Sequence, residues 1–235
     1  MWHWTPEGKY RKRMEFLEKW STYLSTVEVK ELESGYLLIE EAYGRESPPR
    51  KSLPGALPEP CFAHAREVAL MPLFFNIRLY LRSPVGTILG YLGHDMVEDT
   101  LTYDFAWVRQ NLGEEAEFIV RTLSLPGKRL GVDTTYLMRK AYYRQPFLCE
   151  TLEQRLVTIL GFEYDHCHAA ATVNCLKPLA KSRKLWEIDR ICIPALRREI
   201  AEHYPEESRE IENCFKIQLT RNGYVLPCFA GQGNA

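Results

Sequence analysis

The sequence predicts an all-α fold with a small C-terminal β-hairpin, and three observations carry that prediction. Apolar residues recur three and four positions apart in one stretch after another, as in Val85, Ile88, Leu89 and Leu92, which is the period of a helix that buries one face. Proline and glycine stand between these stretches, at Pro72, Pro126-Gly127 and Pro146, where a helix must end or bend. Alternation followed by a hairpin turn is confined to the C-terminal region, where Phe215, Ile217 and Leu219 lead into Asn222-Gly223 and the return Tyr224-Val225-Leu226.

Taken in order, Thr5-Pro6 reads as an N-cap followed by proline in the first helical position, opening a helix through Phe16, Leu17 and Trp20. Over residues 26 to 43, Val27 and Val29 alternate as in a strand, whereas Leu37, Leu38 and Ala42 suit a helix; the helix is assigned from Gly35 onward. Residues 44 to 60 hold five of the fourteen prolines and form no regular element. Arg50 and Lys51 lie in that loop, where a phosphate or a base is one use for them and a plain surface loop is the other. His64 opens the next helix, with Val68, Ala69 and Met71 behind it, and Pro72 is expected to end or bend it. Helices are then expected through Phe105, Val108 and Leu112, through Ala116, Ile119, Val120 and Leu123, and from about Thr135 to Arg144. A strongly apolar helix marked by Leu152, Leu156, Ile159 and Leu160 ends at Tyr164-Asp165-His166-Cys167-His168, and residues 179 to 203 read as a further helix or helix pair around Pro194.

At 235 residues, 46% of them hydrophobic, the chain can bury a sizeable core. Three segments are expected: an N-terminal helical extension over 1–34, a helical domain over 35–205 that carries the chemistry, and the hairpin with its tail over 206–235. The net charge of -1 and the lack of a long basic run argue against a partner of duplex nucleic acid. Seven cysteines without any CxxC spacing argue against a disulfide framework and for a reducing cytoplasm. No signal core and no apolar run of about 18 residues occurs, so neither a membrane span nor targeting is expected.

The chemistry is concentrated in Tyr91-Leu-Gly-His-Asp-Met-Val-Glu-Asp-Thr100. The apolar helix before it is expected to be buried and to deliver His94 and Asp95 from its last turn. A charge at such depth is costly unless a cation or a tight ion-pair network receives it. His94 and Asp95 can share one cation through an imidazole nitrogen and a carboxylate oxygen. Glu98 and Asp99, one turn on, can orient a water or a supporting group. His64 upstream and Asp165 downstream are the candidates to complete the ligand set, with His166 and His168 as neighbours.

The order His64, His94-Asp95 with Glu98-Asp99, then Asp165 resembles the HD-domain metal-dependent phosphohydrolases. The His-Asp-x-x-Glu-Asp-Thr form is similar to one branch, the hydrolase domain of the RelA/SpoT-homologue alarmone enzymes, including its small stand-alone hydrolases. The likeness spans roughly residues 40 to 200. Glu59-Pro60-Cys61-Phe62-Ala63-His64 is similar to the family's Glu-Pro-Tyr-x-x-His, and Arg50-Lys51-Ser52 to the basic pair before it. Leu112-Gly113, Ile119-Val120 and Ser124 follow in the family's order, then Leu160 to His168, then Glu187 to Pro194.

This resemblance implies an all-helical HD-domain bundle in which His64, His94, Asp95 and Asp165 bind one divalent cation, Mn²⁺, with Glu98 and Asp99 as the catalytic pair. It implies that Arg50 and Lys51 hold phosphates, and that the substrate is a nucleotide of the guanosine polyphosphate class. The activity implied is removal of pyrophosphate from guanosine 3′,5′-bis(diphosphate), in a monomer or homodimer. Ala169 and Cys192 replace the family's Asn and Tyr near the nucleotide. These departures leave room for another nucleotide, for pyrophosphorylated RNA as in an antitoxin, or for a nucleotide sensor without turnover.

Overall fold

The computed structural model describes residues 6–47, 60–74, 82–142 and 144–171, together with 201, 202, 205 and 209. Arg50 and Lys51, Cys192, the helix expected around Pro194 and the hairpin expected over 215–227 lie outside the described residues, and of His166, His168 and Ala169 only the backbone is described. Among the described residues every regular element is helical: α1 (Pro6–Ser21), α2 (Thr26–Glu46), α3 (Cys61–Phe74), α4 (Pro84–Leu92), α5 (Met96–Asp99), α6 (Phe105–Leu112), α7 (Glu114–Leu123), α8 (Tyr136–Tyr142), a 3-10 turn (Gln145–Leu148) and α9 (Leu152–Ala171). None of these helices is long and apolar enough to cross a membrane.

Helix α4 is the axis of the bundle. Every residue from Val85 to Leu92 is buried, as expected of a helix that is apolar all round, and α2, α3, α6 and α7 all pack against it. Its start is fixed by Ser83, whose hydroxyl accepts the Gly86 N–H, with Pro84 in the first turn. Two neighbours come unusually close because glycine leaves out a side chain. A Cβ added at Gly90 would lie 2.6 Å from Ile119 Cβ on α7, and one at Gly35 would lie 2.5 Å from Leu89 Cδ1 across the α2–α4 contact. Helix α9 covers α3 and α7.

The N-terminal segment is part of this core. Phe16, Leu17 and Trp20 of α1 are buried in the same cluster as Tyr36, Phe62 and Leu89. An aromatic series crosses three helices, with Phe16 5.2 Å from Tyr36 and Tyr36 5.0 Å from Phe62, ring centre to ring centre. Such tilted and edge-on pairs add to the area they bury.

Helix α2 begins at Thr26, nine residues before the expected start at Gly35, so the expected boundary after residue 34 falls inside a continuous helix. The reason is a capping box: the Ser25 side chain accepts the Glu28 N–H, and the Glu28 carboxylate accepts the Ser25 N–H at 2.8 Å. The box outweighs the weak strand preference of Val27 and Val29. Pro72 is carried inside α3, which runs two residues further to Phe74. His94 is not in the last turn of α4, because the helix ends at Leu92 and Gly93 caps it. Nor does α9 end at Asp165–His168; it continues to Ala171.

Candidate metal centre

Four elements converge at the C-terminal end of α4. His64 sits in the first turn of α3, His94 in the turn after Gly93, Asp95 at the N-cap of α5, and Asp165 well inside α9. Both imidazoles are 1% exposed, while the Asp95 and Asp165 side chains are 27% and 19% exposed, so the carboxylates are the side of the cluster that faces solvent. His64 Nε2 lies 2.9 Å from Asp165 Oδ1 and 3.9 Å from Asp95 Oδ2. His94 Nε2 lies 3.2 Å from Asp95 Oδ2 and 3.9 Å from Asp165 Oδ1. One donor atom each from His64, His94 and Asp165 falls within 4.8 Å of the others.

Local structure explains why these groups point inward. The Nδ1 of His94 lies 2.8 Å from the Tyr91 carbonyl oxygen, so Nδ1–H is the donor and Nε2 is the nitrogen that faces the carboxylates. That Nε2 is buried and makes no hydrogen bond. A ring held in this way, with one N–H on a backbone carbonyl and the other nitrogen turned to the carboxylates, is oriented as a metal-ligating histidine is. Asp95 stands at an N-cap yet makes no capping hydrogen bond; its carboxylate is turned toward the imidazoles instead. His64, His94 and Asp165 thus form a group that could hold a metal ion, with Asp95 beside it.

Without an ion, the imidazoles and carboxylates of the cluster balance one another. Burial pulls His94 down, but the Asp95 carboxylate, with Asp165 and the Tyr91 carbonyl, outweighs it and raises the group to about 9. Burial pushes Asp95 up, yet the His94 imidazole, helped by His64, holds it well below the ordinary carboxylate range. Glu98 moves the other way. Burial, then the Asp95 and Asp99 carboxylates, pushes it up to about 8 against the Leu125 N–H that it accepts.

Of the groups expected at the site, His64, His94, Asp95 and Asp165 are brought together, with Glu98 beside them. Asp99 is half-buried next to Cys61. Burial and the Asp99 carboxylate push the Cys61 thiol up to about 12, so it stays protonated and is no nucleophile.

Several groups around the site were not anticipated. The Tyr43 phenol is buried, and burial with the Asp95 and Asp99 carboxylates raises it well above its ordinary value. Ser124 donates from its hydroxyl to the His94 carbonyl at 3.2 Å and to the Val120 carbonyl at 2.6 Å, tying the end of α7 to the ligand turn. The one signal for Ser124 was its place in the family pattern; nothing in composition marks a backbone N–H such as that of Leu125.

A groove of about 710 Å³ lies at the other end of α4, lined among others by Arg82, Ser83, Glu114, Glu115 and Glu153. Three of those carboxylates occupy first turns of α7 and α9, where they complement the helix dipoles, and none belongs to the cluster above. No protein-family model matches the chain, and no curated protein matches it.

Proposed function

We propose that the protein is a metal-dependent phosphohydrolase that acts on a guanosine polyphosphate and releases pyrophosphate from its 3′ position. The observation that carries this reading is the convergence of His64, His94, Asp95 and Asp165, from four separate elements, in one buried cluster, with the Glu98 carboxyl three residues beyond Asp95. A divalent cation held there, Mn²⁺ by the resemblance, supplies a Lewis acid that polarises a phosphoryl oxygen and acidifies water.

The chain's own residues do the rest. His94, with its tautomer fixed by the Tyr91 carbonyl, and His64 offer imidazole nitrogens on the inner side. Asp95 and Asp165 neutralise charge on the outer side, where substrate enters. Glu98, held by the Leu125 N–H, accepts and returns a proton. It takes the proton from the attacking water as the water oxygen bonds to the phosphorus attached at O3′. The O3′–P bond then breaks, pyrophosphate departs and O3′ is protonated. Arg50 and Lys51 hold the phosphates in this reading, and Asp99 supports Glu98.

A second substrate is favoured by Ala169, which offers no amide where the resembling family carries Asn: a different nucleotide, or pyrophosphorylated RNA. Incubating the protein and Asp95→Ala with a nucleotide panel and Mn²⁺, with products separated by chromatography, tests both. Pyrophosphate from the guanosine polyphosphates alone supports the first reading, and turnover of another member supports the second. Binding without any turnover makes the protein a sensor and removes the hydrolase proposal.

A further inference from the structure

The turn after α7 reaches the site three times, and only two of those contacts involve groups already given a role. Ser124 bonds the His94 carbonyl, and the Leu125 N–H bonds the Glu98 carboxylate. The third comes from Arg129, whose Nη1 donates to the Tyr103 carbonyl at 2.9 Å and to the Val97 carbonyl at 3.4 Å. Val97 is the residue immediately before Glu98, in the four-residue helix α5.

The sequence makes this reach possible. Leu125-Pro126-Gly127-Lys128 closes with Lys128 N–H on the Leu125 carbonyl at 2.9 Å, and Gly127 has φ 77°. Proline second and a positive-φ glycine third are the pattern of a type II turn. It folds the chain back, so that Leu125 and Arg129, at its two ends, both face α5. A helix as short as α5 cannot hold itself in place. Its C-terminal carbonyls are taken instead by Thr100 Oγ1, on Met96 at 2.7 Å, and by Arg129 on Val97. On the far side, Glu46 of α2 accepts Leu101 N–H and Thr102 N–H at 2.7 and 2.9 Å.

We infer that Arg129 is a positioning residue for Glu98: by pinning the 125–129 turn to the backbone of α5 and of Tyr103, it keeps Leu125 N–H on the Glu98 carboxylate and aims that carboxylate at the site. This rests on the reading of Glu98 as the group that handles the proton. Arg129 touches no ligand of the cation, so its loss separates the aim of Glu98 from the binding of metal.

The test compares wild type, Arg129→Ala and Arg129→Lys, all full-length and manganese-loaded, by metal content, by amide hydrogen exchange and by steady-state kinetics on whichever substrate the panel identifies. Arg129→Ala is expected to keep its manganese and KM, to lose kcat by about 10- to 100-fold, less than the roughly 100- to 10,000-fold that a positioned acid or base contributes in full, and to exchange faster at Leu125 and over residues 96–99 while α4 and α9 are unchanged. Arg129→Lys, which can still donate to one carbonyl, recovers part of kcat. Unchanged exchange at Leu125 overturns the inference. So does an unchanged kcat in a protein whose wild type turns over, and so does loss of manganese together with kcat. Should wild type turn over nothing, the hydrolase reading falls, and the exchange at Leu125 alone then decides whether Arg129 holds the turn.

Discussion

His64 Nε2 lies 2.9 Å from Asp165 Oδ1 across 101 positions of sequence, joining the first turn of α3 to the interior of α9. The contact pairs an imidazole with a carboxylate in the same cluster as His94. Replacing either by alanine removes a ligand. The expected result is a loss of manganese affinity larger than the roughly 10- to 100-fold that changing an outer partner of a metal ligand costs, read by titration calorimetry. Equal affinity in wild type and Asp165→Ala would remove Asp165 from the ligand set.

Proton and metal compete for His94. With the group raised to about 9, the metal-free protein carries a proton there at neutral pH, and a ligand nitrogen must give it up. Manganese uptake is therefore expected to release a proton, and its apparent affinity to rise by up to about tenfold per pH unit below pH 9 and then to level off. Calorimetry in buffers of different ionisation enthalpy measures the release directly. No dependence on buffer would count against the assignment.

Folding of the metal-free protein carries a related signature. Glu98, raised to about 8 from an ordinary value of 4.5, binds its proton more tightly folded than unfolded. Its contribution is complete below about pH 4.5 and is lost as the pH rises through 8; His94 adds a loss of the same sign between its ordinary 6.5 and 9. The thermal midpoint of chelator-treated protein should fall from pH 6 to pH 9, and Glu98→Gln should flatten the lower part of that slope. A midpoint that climbs over this range contradicts both assignments.

Gly90→Ala places a methyl group 2.6 Å from Ile119 Cβ, a branch point fixed to the α7 backbone. Overpacking of this kind costs about 1–3 kcal/mol, against about 1 kcal/mol gained in helix propensity. The expected net is a destabilisation visible in urea unfolding. Gly35→Ala meets only the end of the Leu89 side chain and should cost less. The reverse ranking would show that α4 is seated differently.

Trp20 of α1 is fully buried in the shared core. Trp20→Ala is expected to lower stability by about 3–5 kcal/mol, read from the unfolding midpoint, with the mass in light scattering unchanged. A halved mass would instead make α1 an element of a dimer interface.

The cluster of imidazoles and carboxylates was legible because such groups are rare beside apolar helices, so His94-Asp95 after Leu92 stands out in the sequence. Helix starts were legible where a cap was weighed and missed where it was not. Ser25-x-x-Glu28 is a capping-box pattern in the sequence, whereas the alternation of Val27 and Val29 points to a strand, and α2 begins nine residues before Gly35. The end of α9 was placed by chemistry, at the acid and imidazoles, though no glycine or proline follows there to stop a helix. What holds Glu98 was out of reach altogether. Its partner is the main-chain N–H of Leu125, 27 positions away, and backbone groups are alike at every residue.

Helix α4 is enclosed on every side, and the chain leaves it at Gly93, releasing His94 and Asp95 together. Those two donors therefore move with the helix, while His64 and Asp165 move with α3 and α9. In the proposed metal centre, exchanging an aliphatic residue packed at the α4–α7 or α4–α2 contact is expected to shift one half of the donor set against the other and so to change the radius of ion that the four atoms accept. A selection for altered ion preference should recover substitutions at Ile119 or Leu89, which hold no donor atom, as readily as changes in the donors themselves.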